Sequence, residues 1–524
     1  MKISRLLLLT ILSFMVAPLS VRAAPPGAAT AGRPEVPSVR PLRQRPELSG
    51  PELYRSKTHV LVHYTTSGRD STAPAFAESV AVYSESAWVR IARFGWAMPA
   101  PDQGYGGDDR MDIYVRSVGI VAGSCPDSAY SNPYPDGVSC YHQYNCSLAM
   151  NEWLKWVGTH ETHHSAQARY AGNLGRWSYE NTSNYVVRKV FPDCWEVYDW
   201  SFDAVSPLST PWLSINHSPT SDNYVGAGAL FWVFLDEYYG EDAPRRIWDL
   251  MGRHAGEHTF RDFDSVLRTD YESSLAAALG HYAIWRYFTG ARDDGLHFAL
   301  AESLRNCVVH ARHTTFPASG DQGSHGPRGP AGVCPIEFVN SSSQDLIITF
   351  DGQVRHDWRV YVLAIRGGEV HEQLMDLDAA NSGELRIPVA LAQTAVLLPV
   401  VVETAGDSDS TAALQFDYSA SLADEKVLGL EAPGTAVLLG QRGANPVAGS
   451  VPFVVTLGTG VPGRLALIDA TGREVRDYRV AGTGRPETVT WDLTDRSGMR
   501  VASGIYCCQL SGAGGIVQRK LIVK

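Results

Sequence analysis

Several features that would point to other protein classes are scarce or absent in this 524-residue chain. The net charge is −11 and the pI about 5.8, so there is no basic excess for phosphate backbones, and nucleic acid is not an expected partner. Beyond the N terminus no apolar run is long enough to span a membrane. No unit repeats at a period of roughly 20–50 residues. The length predicts roughly two to four domains.

The N terminus has the pattern of a secretory signal peptide. Lys2 and Arg5 precede an apolar run, Leu6–Val16, and small residues follow it. The run is shorter than the roughly 18–20 residues that a membrane anchor needs. We therefore expect residues 1–24 to be removed and the protein to be secreted or extracellular, with surface attachment left open. Residues 25–54 are rich in Pro, Ala, Arg and Gly, which predicts a flexible leader or pro-segment.

Eight cysteines in an exported chain make disulfides possible. Eight cysteines allow 105 pairings, so composition alone does not give the connectivity. Short separations favour two pairs and leave a third: Cys125–Cys140, Cys307–Cys334 and Cys146–Cys194. Cys507 and Cys508 are adjacent in a predicted strand, so their side chains should face opposite sides of a sheet.

The order of predicted strands and helices separates an α+β domain from two β-modules. Strand patterns at "THVLVHYT", "RMDIYV" and "CSLAM" are followed by helical patterns, which predicts an α+β domain over 55–317. Residues 318–335 are dense in Gly and Pro and predict a linker. Short alternating strands then predict an all-β sandwich module over 336–422 and an immunoglobulin-like module over 423–524.

The segment "HETHH", His160–His164, fits the pattern H-E-x-x-H. Two histidines four residues apart lie on one face of a helix, so both can bind one Zn²⁺, and Glu161 can act as general base. At about 100° per residue both histidines share their stripe with inward-facing apolar residues: Trp153, Val157 and Ala168. The alternative is a pair of core histidines bonded to backbone. His163 lies roughly 60° from His160 and roughly 100° from His164, off the stripe, and is predicted to be a pocket or surface residue.

A catalytic zinc also needs a third protein ligand and an open position. The metzincin pattern requires Gly and His where this chain has Gln167 and Tyr170, so that class is excluded. Glu180 shares a helical face with residues that are mostly apolar: Trp177, Asn184, Val187 and Phe191. A buried carboxylate is costly unless it is paired or metal-bound. Glu180 is therefore the predicted third ligand, and the alternative is an ion pair with Arg169 or Arg176.

Further segments strengthen the pattern in combination. They are Gln167 three residues after the second histidine, "VHYTTSG" (62–68), "DIYV" (112–115), Trp177, "YVGAGALFWVFLDEYYG" (224–240) and "YFTGAR" (287–292). Together they resemble a family of secreted bacterial zinc metalloproteases of the gluzincin type, over about residues 55–309. In that family the residue after the ligand glutamate is usually Gly or Ala, and here it is Asn181.

The resemblance implies an α+β zincin-like peptidase domain, a Zn²⁺ cofactor and a protein or peptide substrate. His160, His164 and Glu180 would be the metal ligands. Glu161 would take the proton of the metal-activated water and pass it to the leaving amine. Tyr224, which opens a helix after the site, is a candidate donor to the oxyanion, and a packed tyrosine is the alternative. We expect a monomer.

The C-terminal module resembles hook-cap-type immunoglobulin-like domains and sorting domains of exported bacterial proteins. The matching segments are "ALIDATGREVRDY", "VTWDLTDRSGMRVASGIY" and "QRKLIVK", with Trp491, Gly498 and Gly504 at the Trp and turn positions. The resemblance implies an immunoglobulin-like fold for this module. It also implies a role in adhesion, as a spacer or in secretion.

Two other functions remain open from the sequence. One is a non-catalytic cell-surface adhesion or binding protein with a vestigial zinc site. Asn181 and the β-modules argue for it, and the intact set of His160, Glu161, His164 and Glu180 argues against it. The other is a zinc amidase that acts on cell-wall bonds, for which the ligand set would be the same as for a peptidase.

Overall fold

A computed structural model of the chain describes the following residues: 45–119, 122–129, 133–148, 152–172, 175–194, 201–219, 221–254, 260–402, 412–423, 438–441, 447, 449–457, 460, 462–469, 471–483, 487–512 and 515–523. The predicted signal peptide and residues 25–44 of the predicted leader lie outside these ranges. None of the helices within these ranges has the length and apolar character needed to cross a membrane.

The first domain is built on a five-stranded mixed sheet in the order β1-β2-β3-β5-β4. Its strands are β1 (Leu53–Ser56), β2 (Val60–Tyr64), β3 (Met111–Arg116), β4 (Ala122–Ala129) and β5 (Val138–Asn145). The three central strands are parallel, and the edge strands β1 and β4 run antiparallel to their neighbours. The predicted strand at "CSLAM" is wrong, because Cys146 and Ser147 lie in the turn after β5. The real third parallel strand, β5, mixes polar and apolar residues and so lacked a strong apolar signal.

Two long helices, α1 (Pro74–Arg93) and α2 (Glu152–Tyr170), pack together and against the sheet. Helix α1 starts with proline in its first turn and buries a stripe at helical spacing, which includes Phe76, Val80, Ala87 and Ile91. In α2, Val157, His160 and Ala168 of the predicted stripe are buried, whereas Trp153 and His164 are only partly buried. Residues off the stripe, such as Thr162 and Ser165, are fully buried, so burial does not single out this face. A third helix, α3 (Arg176–Val190), packs on α2.

The remaining helices complete the core around α3. They are α4 (Tyr224–Ala227), α5 (Ala229–Tyr239), α6 (Ala243–Arg253), α7 (Phe260–Tyr271) and α8 (Leu275–Tyr287). Three of these helices are predicted from helical periodicity in the sequence, and all three are confirmed: α5 in "AGALFWVFLDEYYG", α6 in "APRRIWDLMGRH" and α8 in "SLAAALGHYAIWRYF". Helix α5 is buried from Ala229 to Asp236, which explains its almost continuous apolar sequence.

The first β-module is a sandwich of two sheets, ordered β11-β10-β13-β8-β6 and β12-β9-β14-β7. Its strands are β6 (Ala311–His313), β7 (Ala318–Asp321), β8 (Ile336–Val339), β9 (Leu346–Gly352), β10 (Trp358–Arg366), β11 (Glu369–Leu374), β12 (Ser382–Ile387), β13 (Thr394–Val401) and β14 (Phe416–Leu422). The predicted linker over 318–335 differs from the structure, because β7 pairs with β14 and Ala331, Val333 and Cys334 are fully buried. The module therefore begins with β6 rather than at residue 336.

The first β-module is continuous with the helical core. Along β10, Val360 and Val362 point into the sandwich interior, whereas Tyr361 and Leu363 belong to the core of the first domain. Helix α8 packs on β10 and β13, and a Cβ atom at Gly280 would overlap the ring of Tyr361. Burial on both faces explains why β10 reads as a nearly unbroken apolar run.

The C-terminal module is a second sandwich, with sheets β15-β16-β19 and β18-β17-β20-β21. Its strands are β15 (Leu438–Gln441), β16 (Val451–Thr456), β17 (Gly463–Asp469), β18 (Glu474–Val480), β19 (Glu487–Trp491), β20 (Gly504–Gly512) and β21 (Gly515–Val523). Trp491 is fully buried in its core. In β20, Cys508 is buried and Cys507 is partly exposed, so the predicted alternation of these two side chains is confirmed.

The predicted disulfides are not formed in the structure. None of the seven cysteines whose side chains are described forms a disulfide: Cys140, Cys146, Cys194, Cys307, Cys334, Cys507 and Cys508. Each of the three predicted pairs contains at least one of them. Separation along the chain does not fix the Cα and Cβ geometry that a disulfide requires, so it was a poor guide to pairing.

Residues 45–54 of the predicted flexible leader belong to the folded domain. Arg45 forms a salt bridge with Asp102 and lies 3.3 Å from the Asp112 carboxylate. The backbone N–H of Ser49 donates to Asp70, and the backbone N–H of Asp70 donates to the Ser49 hydroxyl, each at 2.8 Å. These bonds fix the segment against the sheet, so a flexible leader can extend only up to this point.

Candidate metal centre

Helices α2 and α3 bring the three predicted metal ligands together. The ligand atoms of His160, His164 and Glu180 all lie within 4.8 Å of one another. The Nε2 atom of His160 is 3.3 Å from Oε2 of Glu180, and Nε2 of His164 is 4.0 Å from Oε1. The imidazole rings are nearly perpendicular, at 85°, with centroids 4.5 Å apart. The three side chains thus converge through the atoms that a metal ion would bind.

The far side of the His160 ring is held by α3. Its Nδ1 lies 3.0 Å from Oδ1 of Asn184, a fully buried residue one turn beyond Glu180. The same face of α3 therefore offers a carboxylate to Nε2 and an amide oxygen to Nδ1. Helical phase places Asn184 on this face in the sequence, but no function is predicted for it from the sequence alone. Its position one turn from the third ligand was the signal that could have identified it.

The orientation of the His164 ring follows from Gln167. The Gln167 Nε2 donates to the carbonyl of Tyr179 at 2.9 Å, so its oxygen must face the other way. That oxygen lies 2.7 Å from Nδ1 of His164 and can only accept. Nδ1 therefore carries the proton, and the lone pair of the neutral ring is on Nε2, the atom that faces Glu180.

The charge states favour cation binding. Burial and the neighbouring His160 lower the pKa of His164, so its imidazole is neutral at pH 7. Burial alone would raise the pKa of Glu180, but its hydrogen bond with His160 and its electrostatic interactions with His164, His160 and Arg176 lower it to about 2. Glu180 is thus a carboxylate, directed at His160 and His164 rather than held in the arginine pair considered as an alternative. Two imidazoles and one carboxylate form a suitable donor set for a divalent metal.

The separations can be compared with a tetrahedral site. With metal–ligand bonds of about 2.0–2.1 Å, neighbouring donor atoms are about 3.3 Å apart. The contact between His160 and Glu180, at 3.3 Å, has this value, and the 4.0 Å between His164 and Glu180 is wider. A modest rotation of the His164 or Glu180 side chain would shorten the 4.0 Å separation, so the three residues fit a tetrahedral zinc ion.

Glu161, the predicted base, lies beside this cluster. It is largely buried, and its charge is one of the causes that act on the pKa of His164. It is also near β5, because its charge adds to the effect of burial in raising the pKa of Tyr144. The Glu161 carboxylate therefore acts electrostatically both on a metal ligand and on a residue of β5.

Tyr224 opens α4, as predicted, and is fully buried. Its hydroxyl is 3.5 Å from the carbonyl of Leu213, and its ring packs edge-on to His217 with centroids 5.1 Å apart. These contacts are those of a packed tyrosine. Its assignment as donor to an oxyanion stays a prediction.

Asn181, where the chain departs from the family pattern, connects α3 with α4. The side chain is buried, and the amide orientation that satisfies its hydrogen bonds donates to the carbonyls of Trp177, at 3.1 Å, and Val225. A Cβ atom at Gly228 would lie 2.5 Å from this amide, so the larger residue is accommodated by a glycine opposite it. The substitution leaves Glu180, the preceding residue, directed at the histidines.

His163 is neither a pocket nor a surface residue, so that prediction is wrong. It is fully buried, with Nδ1 3.0 Å from the hydroxyl of Ser183 and its ring edge-on to Trp96. Helical phase placed it off the ligand stripe correctly. Helix α3 and the segment around Trp96 cover this second face of α2 as well, and only the tertiary packing shows this.

Comparisons with known proteins leave the chain without an assigned family. No family profile and no curated protein matches it. Solved structures similar to parts of it include latent PorU of Porphyromonas gingivalis (19% identity, 35% of this chain and 18% of that one, TM-score 0.17), PorZ of the same organism (16%, 33% and 22%, 0.13) and the β-glucuronidase of Faecalibacterium prausnitzii (13%, 36% and 36%, 0.15). The chain spans little more than a third of each of these proteins at most, and the TM-scores are too low to carry an argument.

Proposed function

We propose that this chain is a secreted zinc-dependent metallopeptidase. The observation that carries the proposal is the convergence of His160, His164 and Glu180 within 4.8 Å, with Glu161 beside them. Two histidines, one glutamate and an open fourth position form a typical catalytic zinc site. The mixed sheet with α2 packed against it is compatible with the zincin-like fold that the sequence resemblance implies.

The bound zinc ion would lower the pKa of a water molecule and polarise the carbonyl to be cleaved. The residues of the chain supply the rest. Asn184 and Gln167 hold the two imidazoles with Nε2 directed inward, and Glu180 contributes the negative charge. Glu161 accepts the proton of the attacking water and passes it to the leaving amine.

The sheet offers a means of holding an extended peptide. Among the described strands β4 pairs only with β5, which makes it an edge strand, and β4 packs against α2, the helix that carries both histidines. An open edge strand can bind a peptide through backbone hydrogen bonds. This arrangement favours a peptide substrate over the amide bonds of the cell wall. Those bonds do not belong to a comparably long extended peptide that could pair with the strand.

The first β-module bears on the rival proposal of an adhesion protein. Tyr361 and Leu363 complete the core of the helical domain, which gives this module a structural purpose. It therefore adds no weight to a separate binding function. The C-terminal module keeps its proposed role as spacer, adhesion or secretion unit, and the proposed location is extracellular.

The test is metal content together with cleavage. Purified protein should contain about one zinc per chain and should cleave members of a mixed peptide library. Cleavage should stop with a chelator and return with added zinc. His160→Ala should lose both properties, whereas His254→Ala, which changes a largely exposed histidine, should keep both. Folded wild type without metal would overturn the proposal. Zinc-bound protein that cleaves cell-wall fragments but no peptide would support the amidase instead.

A further inference from the structure

A single hydroxyl connects the second ligand histidine with the third histidine of the motif. Ser183, on α3, is fully buried, and its Oγ lies 3.1 Å from Nδ1 of His164. The same Oγ is 2.9 Å from Oε1 of Gln167 and 3.0 Å from Nδ1 of His163. The predicted ligand set includes none of Ser183, Gln167 and His163.

The protons in this cluster can be assigned from donor and acceptor capacity. The Gln167 oxygen can only accept, since the amide nitrogen is committed to Tyr179, and it has two lone pairs. One accepts from Nδ1–H of His164 and the other from the Ser183 hydroxyl. The Ser183 oxygen then accepts from Nδ1–H of His163. Each of these three short contacts receives one proton, and no buried pair is left with two donors or two acceptors facing each other.

We propose that Ser183 is a positioning residue of the metal centre, which holds the Gln167 oxygen against His164 and thereby fixes the direction of the His164 Nε2. This rests on the proposed function, because it concerns the same metal site. Without the hydroxyl, the Gln167 oxygen would keep its contact with His164 but lose its own bond from α3, and only the amide nitrogen would stay bonded to that helix, at the carbonyl of Tyr179.

His163 has the complementary part in this arrangement. Its Nδ1 is occupied by Ser183, and its ring lies edge-on to Trp96 with centroids 4.6 Å apart. The ring is thus held by Ser183 on one helix and by Trp96 outside it. The sequence "HETHH" therefore contains two ligands and one supporting histidine, and that support reaches the metal centre through Ser183.

The experiment compares Ser183→Ala with a matched control, Ser178→Ala. Ser178 lies on the same helix and is also buried, but its hydroxyl bonds to the backbone carbonyl of Gly175. Both variants lose a buried hydroxyl, and only Ser183→Ala touches the histidine network. The readouts are the zinc dissociation constant from a competing chelator, the absorption spectrum of the Co²⁺-substituted protein and the thermal unfolding of the metal-free form.

Ser183→Ala should weaken zinc binding about 10–100-fold, the range for groups that orient metal ligands, and should alter the Co²⁺ spectrum. Ser178→Ala should leave both unchanged, whatever its effect on unfolding. Ser183→Thr, which keeps a hydroxyl, should restore affinity. In the double variant with Gln167→Ala the affinity should match that of Gln167→Ala alone within about twofold, because Ser183 acts through that amide.

The outcomes separate this inference from the proposed function. Wild-type protein that binds zinc, together with Ser183→Ala of unchanged affinity and spectrum, would overturn the positioning role and leave the metal site intact. Equal loss of affinity in Ser178→Ala would also overturn it, since the effect would then be general destabilisation. Wild-type protein that binds no zinc would overturn the metal site itself.

Discussion

The replacement Glu180→Gln tests the third ligand most directly. It keeps the shape of the side chain and removes the charge that faces the two histidines at 3.3 and 4.0 Å. Zinc sites of four ligands bind with about 10–16 kcal/mol, so one ligand contributes about 3 kcal/mol, and its loss weakens zinc binding roughly a hundredfold. The structure leaves two of the three protein donors in place, so the variant should bind zinc weakly rather than not at all.

A thermal unfolding assay with and without zinc measures this difference. At free zinc of about 100 times the wild-type Kd, zinc stabilises the wild type by about 2.7 kcal/mol, and the variant, with Kd near the zinc concentration, by about 0.4 kcal/mol. For a domain of this size about 1 kcal/mol corresponds to roughly 2–4 °C in Tm. Zinc should therefore raise the Tm of the wild type by roughly 5–10 °C and that of the variant by about 1 °C.

The control is Asp193→Asn, which removes an exposed carboxylate that is paired with Lys155. It should keep the full zinc response, because this carboxylate is engaged outside the site. The reasoning would be refuted if Glu180→Gln lowered the Tm of the zinc-free protein and kept the wild-type response to zinc. Glu180 would then be a structural acid, and the ligand would have to be sought elsewhere.

Three further predictions follow from the same structure. Glu161→Gln should retain zinc and lose roughly 10²–10⁴-fold in turnover, since it cannot accept the proton; near wild-type cleavage would remove Glu161 from the mechanism. His164→Ala should lose most of its zinc by elemental analysis while His254→Ala keeps it, and retention by both would contradict the ligand assignment. Burial, against the opposing bond from Arg45, raises the pKa of Asp102 from 3.8 to about 6, so ionisation costs the folded state stability as the pH rises through this range. The unfolding free energy of Asp102→Asn, relative to wild type, should therefore increase from about pH 4 to pH 6, and a constant difference would contradict the assigned burial cost.

The sequence alone determined those features that depend on local periodicity. Helical phase placed His160 and His164 on one inward face and Glu180 on the facing stripe of the next helix, because a helix repeats every 3.6 residues whatever surrounds it. Helical periodicity also located α1, α5, α6 and α8, and strand alternation located about half of the strands of the two sandwiches. The spacing H-E-x-x-H carried the chemistry, since it sets which side chains can reach one ion.

Only the tertiary structure decided which side chains surround the metal ligands on α2 and α3. That Asn184 and Gln167 orient the two imidazoles, and that Ser183 joins His164 to His163, depends on how α3 packs on α2, which no local pattern encodes. The Gly- and Pro-rich segment over 318–335 reads as a linker, yet its strand β7 finds hydrogen-bond partners in β14, at Asp417–Ala420. Backbone groups can be satisfied by residues far along the chain, so local composition describes only what a segment can do alone.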